Sequence, residues 1–93
     1  ICNAVSFMAA NGLLNGVRHT GNTVEMLKQW GGANYTGEAL YEERQAVRDG
    51  NVVTANGTGY LEFTRECLLA LKADTPDRIE ASYKFNKYGF CRQ

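Results

Sequence analysis

Cys2 stands in the run Ile1-Cys2-Asn3-Ala4-Val5-Ser6-Phe7-Met8-Ala9-Ala10, where an apolar strand end gives way to a helix rich in small residues. A thiol in the first turn of a helix faces backbone N–H groups with no intrahelical acceptor and the positive end of the helix dipole. Both favour thiolate over thiol. The chemistry on offer is attack on a carbonyl or oxidation of the sulfur. The competing reading is a small buried hydrophobe, because unpaired cysteine is among the most buried residue types. Cys67 falls on an apolar helical stripe and reads as core, and Cys91, near the end, has no assigned role. Three cysteines, an odd number with wide spacing and no C-x-x-C pair, argue against a disulfide framework or a structural zinc site. A reducing cytoplasm fits them, and neither metal nor cofactor is expected.

Asn56-Gly57-Thr58-Gly59 precedes a helix, whose N-terminus attracts anions, but it lacks the Lys-Ser/Thr of a nucleotide-binding loop. It reads instead as a turn. The two N-x-T patterns, Asn34-Tyr35-Thr36 and Asn56-Gly57-Thr58, are likewise read as turns and not as glycosylation sites. Glu62 and Glu66, four apart on the following helix, read as a solvated face.

The elements that must position these residues follow from local signals. Val5, Met8 and Ala9 recur at helical spacing within a helix expected from Asn3 to about Leu14, and Gly12 and Gly16 turn the chain at its end. Val17-Arg18-His19-Thr20 reads as a brief strand. Thr23 caps a helix through Val24, Leu27 and Trp30 that Gly31-Gly32 stops. Residues 33–43 carry only Tyr35, Leu40 and Tyr41 as large apolar anchors and read as a loop over a site, with a strand at its end. Gln45–Arg48, Asp49-Gly50-Asn51 and Val52–Ala55 read as strand, tight turn and strand. A strongly apolar helix spans Tyr60 to Lys72, and its wide face must be buried. A last helix starts with Thr75 as cap and Pro76 in the first helical position, and ends near Gly89, before a surface tail. Strands alternating with helices indicate an α/β sheet covered on both faces, yet only about three short strands can be counted.

Ten basic and ten acidic side chains among 93 residues leave no net field to hold a nucleic acid or an anionic membrane. With 44% hydrophobic residues and no apolar run near the ~20 residues that span a bilayer, the chain reads as soluble globular material. It opens on a strand end, with neither an initiator Met nor a leader pattern, and is expected to be part of something larger.

Ile1-Cys2-Asn3-Ala4, Gly12-Leu13-Leu14-Asn15-Gly16-Val17-Arg18, and Val47–Gly59 with Leu61-Glu62-Phe63 resemble, in this order, the C-terminal half of the ThiJ/PfpI superfamily of class I glutamine-amidotransferase-like proteins. The resemblance runs to about Lys72, and Pro76–Gln93 is similar to the extension of bacterial YdeA-like members. It implies an α/β, flavodoxin-like three-layer sandwich. Residues 1–93 would be the C-terminal half of one domain, partnered by its own N-terminal half. Cys2 would occupy a strained strand-to-helix nucleophile elbow, with Asn3 N–H as one oxyanion donor. The second donor and a glutamate touching the cysteine would come from the N-terminal half. Gly57, Thr58 and Gly59 would border the pocket. The family often carries a histidine after the strand that follows the elbow helix; here Asn22 takes that place, as a pocket-lining residue. His19, the one histidine, lies three residues earlier and is the candidate base, against a structural role at a strand end.

The function implied is a cysteine-dependent hydrolase of the intracellular protease or amidase type. It would act on a peptide or small molecule and assemble as a homo-oligomer. A stress or redox-sensing protein with an oxidisable elbow cysteine is the alternative, and the Asn22 substitution favours it. A glutaminase-like subunit fits least, because it needs a late His-Glu pair and the chain has only His19.

Overall fold

The computed structural model describes residues 1–90, so the readings of Cys91 and the tail beyond Phe90 lie outside the described residues. Helix α1 spans Asn3–Ala10 and α2 spans Val24–Gly31. Two single 3-10 turns, Gly32–Asn34 and Glu38–Leu40, fill the loop that follows. Strands β1 (Ala46–Asp49) and β2 (Val52–Ala55) pair antiparallel, with Ala46 opposite Ala55 and Asp49 opposite Val52. Helices α3 (Tyr60–Leu71) and α4 (Pro76–Tyr88) complete the order.

Local chemistry explains most of the boundaries. The Thr23 hydroxyl accepts from Met26 N–H and starts α2, and Gly32 at φ 54 stops it. The Thr75 hydroxyl accepts from Arg78 N–H, Pro76 fills the first helical position where no N–H is needed, and Gly89 at φ 63 ends α4. Gly50, at φ 61 in the two-residue hairpin turn, takes the conformation that matches the strands' twist. The first helix is shorter than expected. It closes at Ala10 because Asn11 leaves the helical conformation at φ −103 and ψ 11 and Gly12 turns the chain at φ 71, while the Asn11 side-chain amide donates to the Phe7 carbonyl at 2.9 Å.

Helix α1 packs on α2, and Val5, Ala9, Leu14, Leu27 and Tyr35 form the core between them, with Met8, Val17, Val24 and Tyr41 against its edge. Helix α3 lies on the hairpin and is itself covered by α4. The expected strand at residues 17–20 is not one. Only His19 bridges, in parallel, to Tyr41, through His19 N–H to Leu40 O at 3.2 Å and Glu42 N–H to His19 O at 2.8 Å. The ladder stops there because Thr20 N–H turns instead to the Thr54 hydroxyl at 2.9 Å.

Two expectations for α3 are corrected. Its apolar face is only partly covered: Tyr60 is 62% and Leu71 76% exposed, since the hairpin and α4 take the other stripes. Glu62 and Glu66 are not a solvated face. Glu62 is buried, and it accepts from Tyr83 Oη at 2.6 Å and from Lys87 Nζ on α4, while Glu66 pairs with Arg48 and Arg65. Burial pushes the Glu62 carboxyl up, but the hydrogen bonds from Lys87 and Tyr83 outweigh it and hold the group below its ordinary value. No helix of the described residues is long and apolar enough to cross a membrane.

Candidate functional site

Cys2 precedes α1 with φ 57 and ψ −125, a left-handed backbone that a residue with a Cβ adopts only under strain. Two hydrogen bonds hold it there. Cys2 N–H donates to Ala55 O at the end of β2, 3.1 Å away, and Cys2 O accepts from Val5 N–H in the first turn of α1 at 3.0 Å. The hairpin end and the helix start therefore fix the elbow between them, and the thiol stays partly exposed. Asn3, next in the chain, is exposed, and its N–H is one of the first-turn donors for which a helix has no internal acceptor.

The thiol is brought against the Asn56–Gly59 loop and Asn22. A Cβ built on Gly57 would lie 3.3 Å from Cys2 Sγ and 3.5 Å from Asn22 Oδ1, so glycine leaves room for both. Asn22 Nδ2 lies 3.7 Å from Cys2 Sγ, and Gly57 N–H donates to Asn22 Oδ1 at 2.7 Å. The loop is set by Asn56, whose Oδ1 accepts from Thr58 N–H at 3.0 Å and from the Thr58 hydroxyl at 2.9 Å. Asn56 Nδ2 in turn donates to Gln45 Oε1 at 2.7 Å. Gly59 is buried, and a Cβ there would meet the Gln45 carbonyl oxygen at 2.3 Å. Gly57 thus faces the sulfur, Thr58 braces the loop, and Gly59 seats it on β1.

His19 is not brought to the thiol. Its side chain is fully buried, with Nδ1 2.7 Å from Val17 O and Nε2 2.7 Å from Tyr35 Oη. The Val17 carbonyl only accepts, so Nδ1 carries the proton and, in the neutral ring, Nε2 accepts from the Tyr35 hydroxyl. Tyr35 and Tyr41 stand edge-on to the imidazole at 5.6 and 5.8 Å between ring centres. With both nitrogens engaged and the ring sealed, His19 has the structural role and no lone pair for Cys2. The chain's turn at Thr20 and Gly21 explains the difference, because it sends Asn22 toward the elbow and leaves His19 in the core.

Beside Asn22 opens a polar cleft of about 300 Å³ lined by residues that include Gly21, Asn22, Tyr41, Glu43, Gln45 and Asn56. A second cleft, of about 370 Å³, shares Asn22, Tyr41 and Glu43 with it. Tyr41 is tied to this rim by its hydroxyl, which donates to Gly21 O at 3.2 Å. Tyr41, Glu43 and Gln45 were not among the expected pocket residues. The one local signal is Asn56-x-Thr58, an Asx-type turn whose side chain organises its own backbone. Cys67 is half-buried on α3, and burial pushes its thiol up, away from the ionised form. Among the described residues, no group of three or more His, Cys, Asp or Glu could hold a metal ion.

The chain has relatives among known proteins. In Bacillus subtilis (strain 168), a protein named uncharacterized protease YdeA is 49% identical over 90 residues, which is 97% of this chain and 45% of that protein. Uncharacterized protease YoaZ of the same organism is 41% identical over 87 residues, 94% of this chain and 41% of that protein. The chain thus spans less than half the length of these relatives. A crystal structure of a thiJ/pfpI family protein from Bacillus anthracis superposes with a TM-score of 0.87 at 40% identity, over 92% of this chain and 40% of that one. The DJ-1 superfamily protein Atu0886 from Agrobacterium tumefaciens gives 0.81 at 38% identity, over 91% of this chain and 44% of that one. These superpositions show that the α/β arrangement described above is that of DJ-1/ThiJ superfamily structures. Since the DJ-1/PfpI family model matches residues 1–70, taking in the elbow, the hairpin and nearly all of α3, the chain belongs to the DJ-1/PfpI family.

Proposed function

We propose that this chain carries the nucleophile of a cysteine-dependent hydrolase acting on amide or peptide bonds. The observation that carries the reading is the Cys2 sulfur, partly exposed on a strained elbow at a helix start, with a polar cleft opening beside its neighbour Asn22. The two Bacillus subtilis relatives named as uncharacterized proteases support it. In this reading residues 1–93 are the C-terminal half of one domain.

The Cys2 thiolate adds to the substrate carbonyl carbon, and the resulting oxyanion accepts from Asn3 N–H. The C–N bond then breaks, the amine leaves with a proton, and water hydrolyses the thioester to free acid and restored thiol. That proton comes from water or from a group outside this chain, because an amide and not an imidazole stands beside the sulfur. The polar lining of the clefts suits a peptide backbone or a small amide. The test is Cys2→Ser in the intact protein, which is expected to abolish turnover of amide and peptide substrates. Unchanged turnover would refute the assignment.

The amide of Asn22 where a base would stand favours a second reading, in which Cys2 is a reversibly oxidised thiol in a reducing cytoplasm. Its thiolate would attack the O–O bond of a peroxide to give sulfenate and release the other oxygen as water or hydroxide. Mild peroxide followed by peptide mass spectrometry decides this. Cys2 should oxidise well before Cys67, and equal or slower oxidation at Cys2 would exclude it.

A further inference from the structure

Asn22 occupies a more specific place than the rim of a cleft. Its carboxamide bridges two groups that lie 20 residues before it and 35 residues after it in sequence, with Oδ1 accepting from Gly57 N–H at 2.7 Å and Nδ2 3.7 Å from Cys2 Sγ. The amide's orientation is settled by chemistry. Gly57 N–H only donates, so the oxygen must face the loop and the NH2 must face the sulfur. A Cβ on Gly57 would enter the space between them, 3.3 Å from Sγ and 3.5 Å from Oδ1, and the residue there has none.

We propose that Asn22 is the sulfur's fixed hydrogen-bond donor, an amide locked by Gly57 so that its N–H points at Cys2 and stabilises negative charge on Sγ. A carboxamide takes no proton at neutral pH, so Asn22 favours the thiolate by donating to it and never by deprotonating the thiol. The backbone donors of the α1 start act on the same atom's surroundings from the helix side. In this chain, then, an amide donor stands beside the sulfur where an acceptor base would otherwise stand. The proposal rests on reading Cys2 as the reacting atom.

The test separates the donor from the loop anchor. In Asn22→Asp, one carboxylate oxygen still accepts from Gly57 N–H, while the other replaces the N–H that faced the sulfur. Alkylation of Cys2 by iodoacetamide, a neutral reagent, is followed by peptide mass spectrometry from pH 6 to 11 in the intact protein, with Cys67 as internal reference. The Asp variant should alkylate at Cys2 at least roughly tenfold more slowly at pH 7, because a carboxylate charge about 4 Å from a thiolate is strongly repulsive even near a protein surface. The two rates should converge at the alkaline end, where thiols are ionised in both proteins. Asn22→Ala, which lacks donor and charge alike, should fall between them. An Asp variant with the parent profile overturns the proposal. So does one slowed equally at every pH, since that would report altered access and not altered charge. Because alkylation and not turnover is read, a protein without hydrolase activity still decides the question.

Discussion

Replacing Tyr35 with Phe removes one oxygen from a sealed pair and tests whether His19 is structural. His19 is 0% and Tyr35 7% exposed, and the Tyr35 hydroxyl is the partner of His19 Nε2 at 2.7 Å. Phe keeps the ring in the core against Leu14 and Leu27, so the loss is confined to the hydrogen bond. It leaves a buried nitrogen lone pair without a donor, a cost of about 1–3 kcal/mol. Urea unfolding should show a lower midpoint with an unchanged slope.

The same variant has a signature at high pH. Burial, with Glu38 and Tyr41 adding to it, pushes the Tyr35 phenol up to about 12. The phenol's unfolded value is about 10, so its contribution to stability is complete below that pH and is lost as pH rises through about 12. Tyr35→Phe should lack this alkaline component. Cys2 alkylation at pH 7 should match the parent, because His19 serves the core and not the thiol. An unchanged urea midpoint would refute the buried pairing, and a changed Cys2 rate would restore His19 as a group acting on the sulfur.

Further outcomes follow from the same contacts. Gly59→Ala should cost about 1–3 kcal/mol in thermal unfolding, since its Cβ would lie 2.3 Å from the Gln45 carbonyl oxygen and backbone must move to admit it; an unaltered melting temperature would count against the seating of the loop on β1. The folded Glu62 carboxyl lies below its ordinary value, so its contribution to stability is present above the usual carboxylate range and is lost as pH falls below it. Glu62→Gln should flatten that acid limb and speed amide exchange in α4, and exchange as slow as in the parent would argue against the clasp. Thr75→Ala removes the cap of α4 and should cost about 1 kcal/mol with fraying confined to its first turn, which site-resolved exchange can read.

Where a signal is carried by neighbours in sequence, it was legible without coordinates. Thr23 and Thr75 as caps, Pro76 in the first helical turn, Gly32 and Gly89 as stops and Gly50 in the hairpin each act over a few residues, and each appears in its expected place. The family membership was legible in the same way. The segment 17–20 failed as a strand because pairing needs a neighbour, and only Tyr41 reaches it.

Side-chain roles belonged to the tertiary structure. Whether a histidine serves as base or core depends on what stands at its two nitrogens, and Tyr35 and the turn at Thr20 decided that for His19. Glu62 looked solvated on a helical wheel, and only α4, bringing Lys87 from 25 residues away, buried and paired it. Residue types and local spacing determine where a chain can bend, start and stop. Which groups then meet is settled by contacts between distant segments, as when Asn22 and Gly57 close on one sulfur.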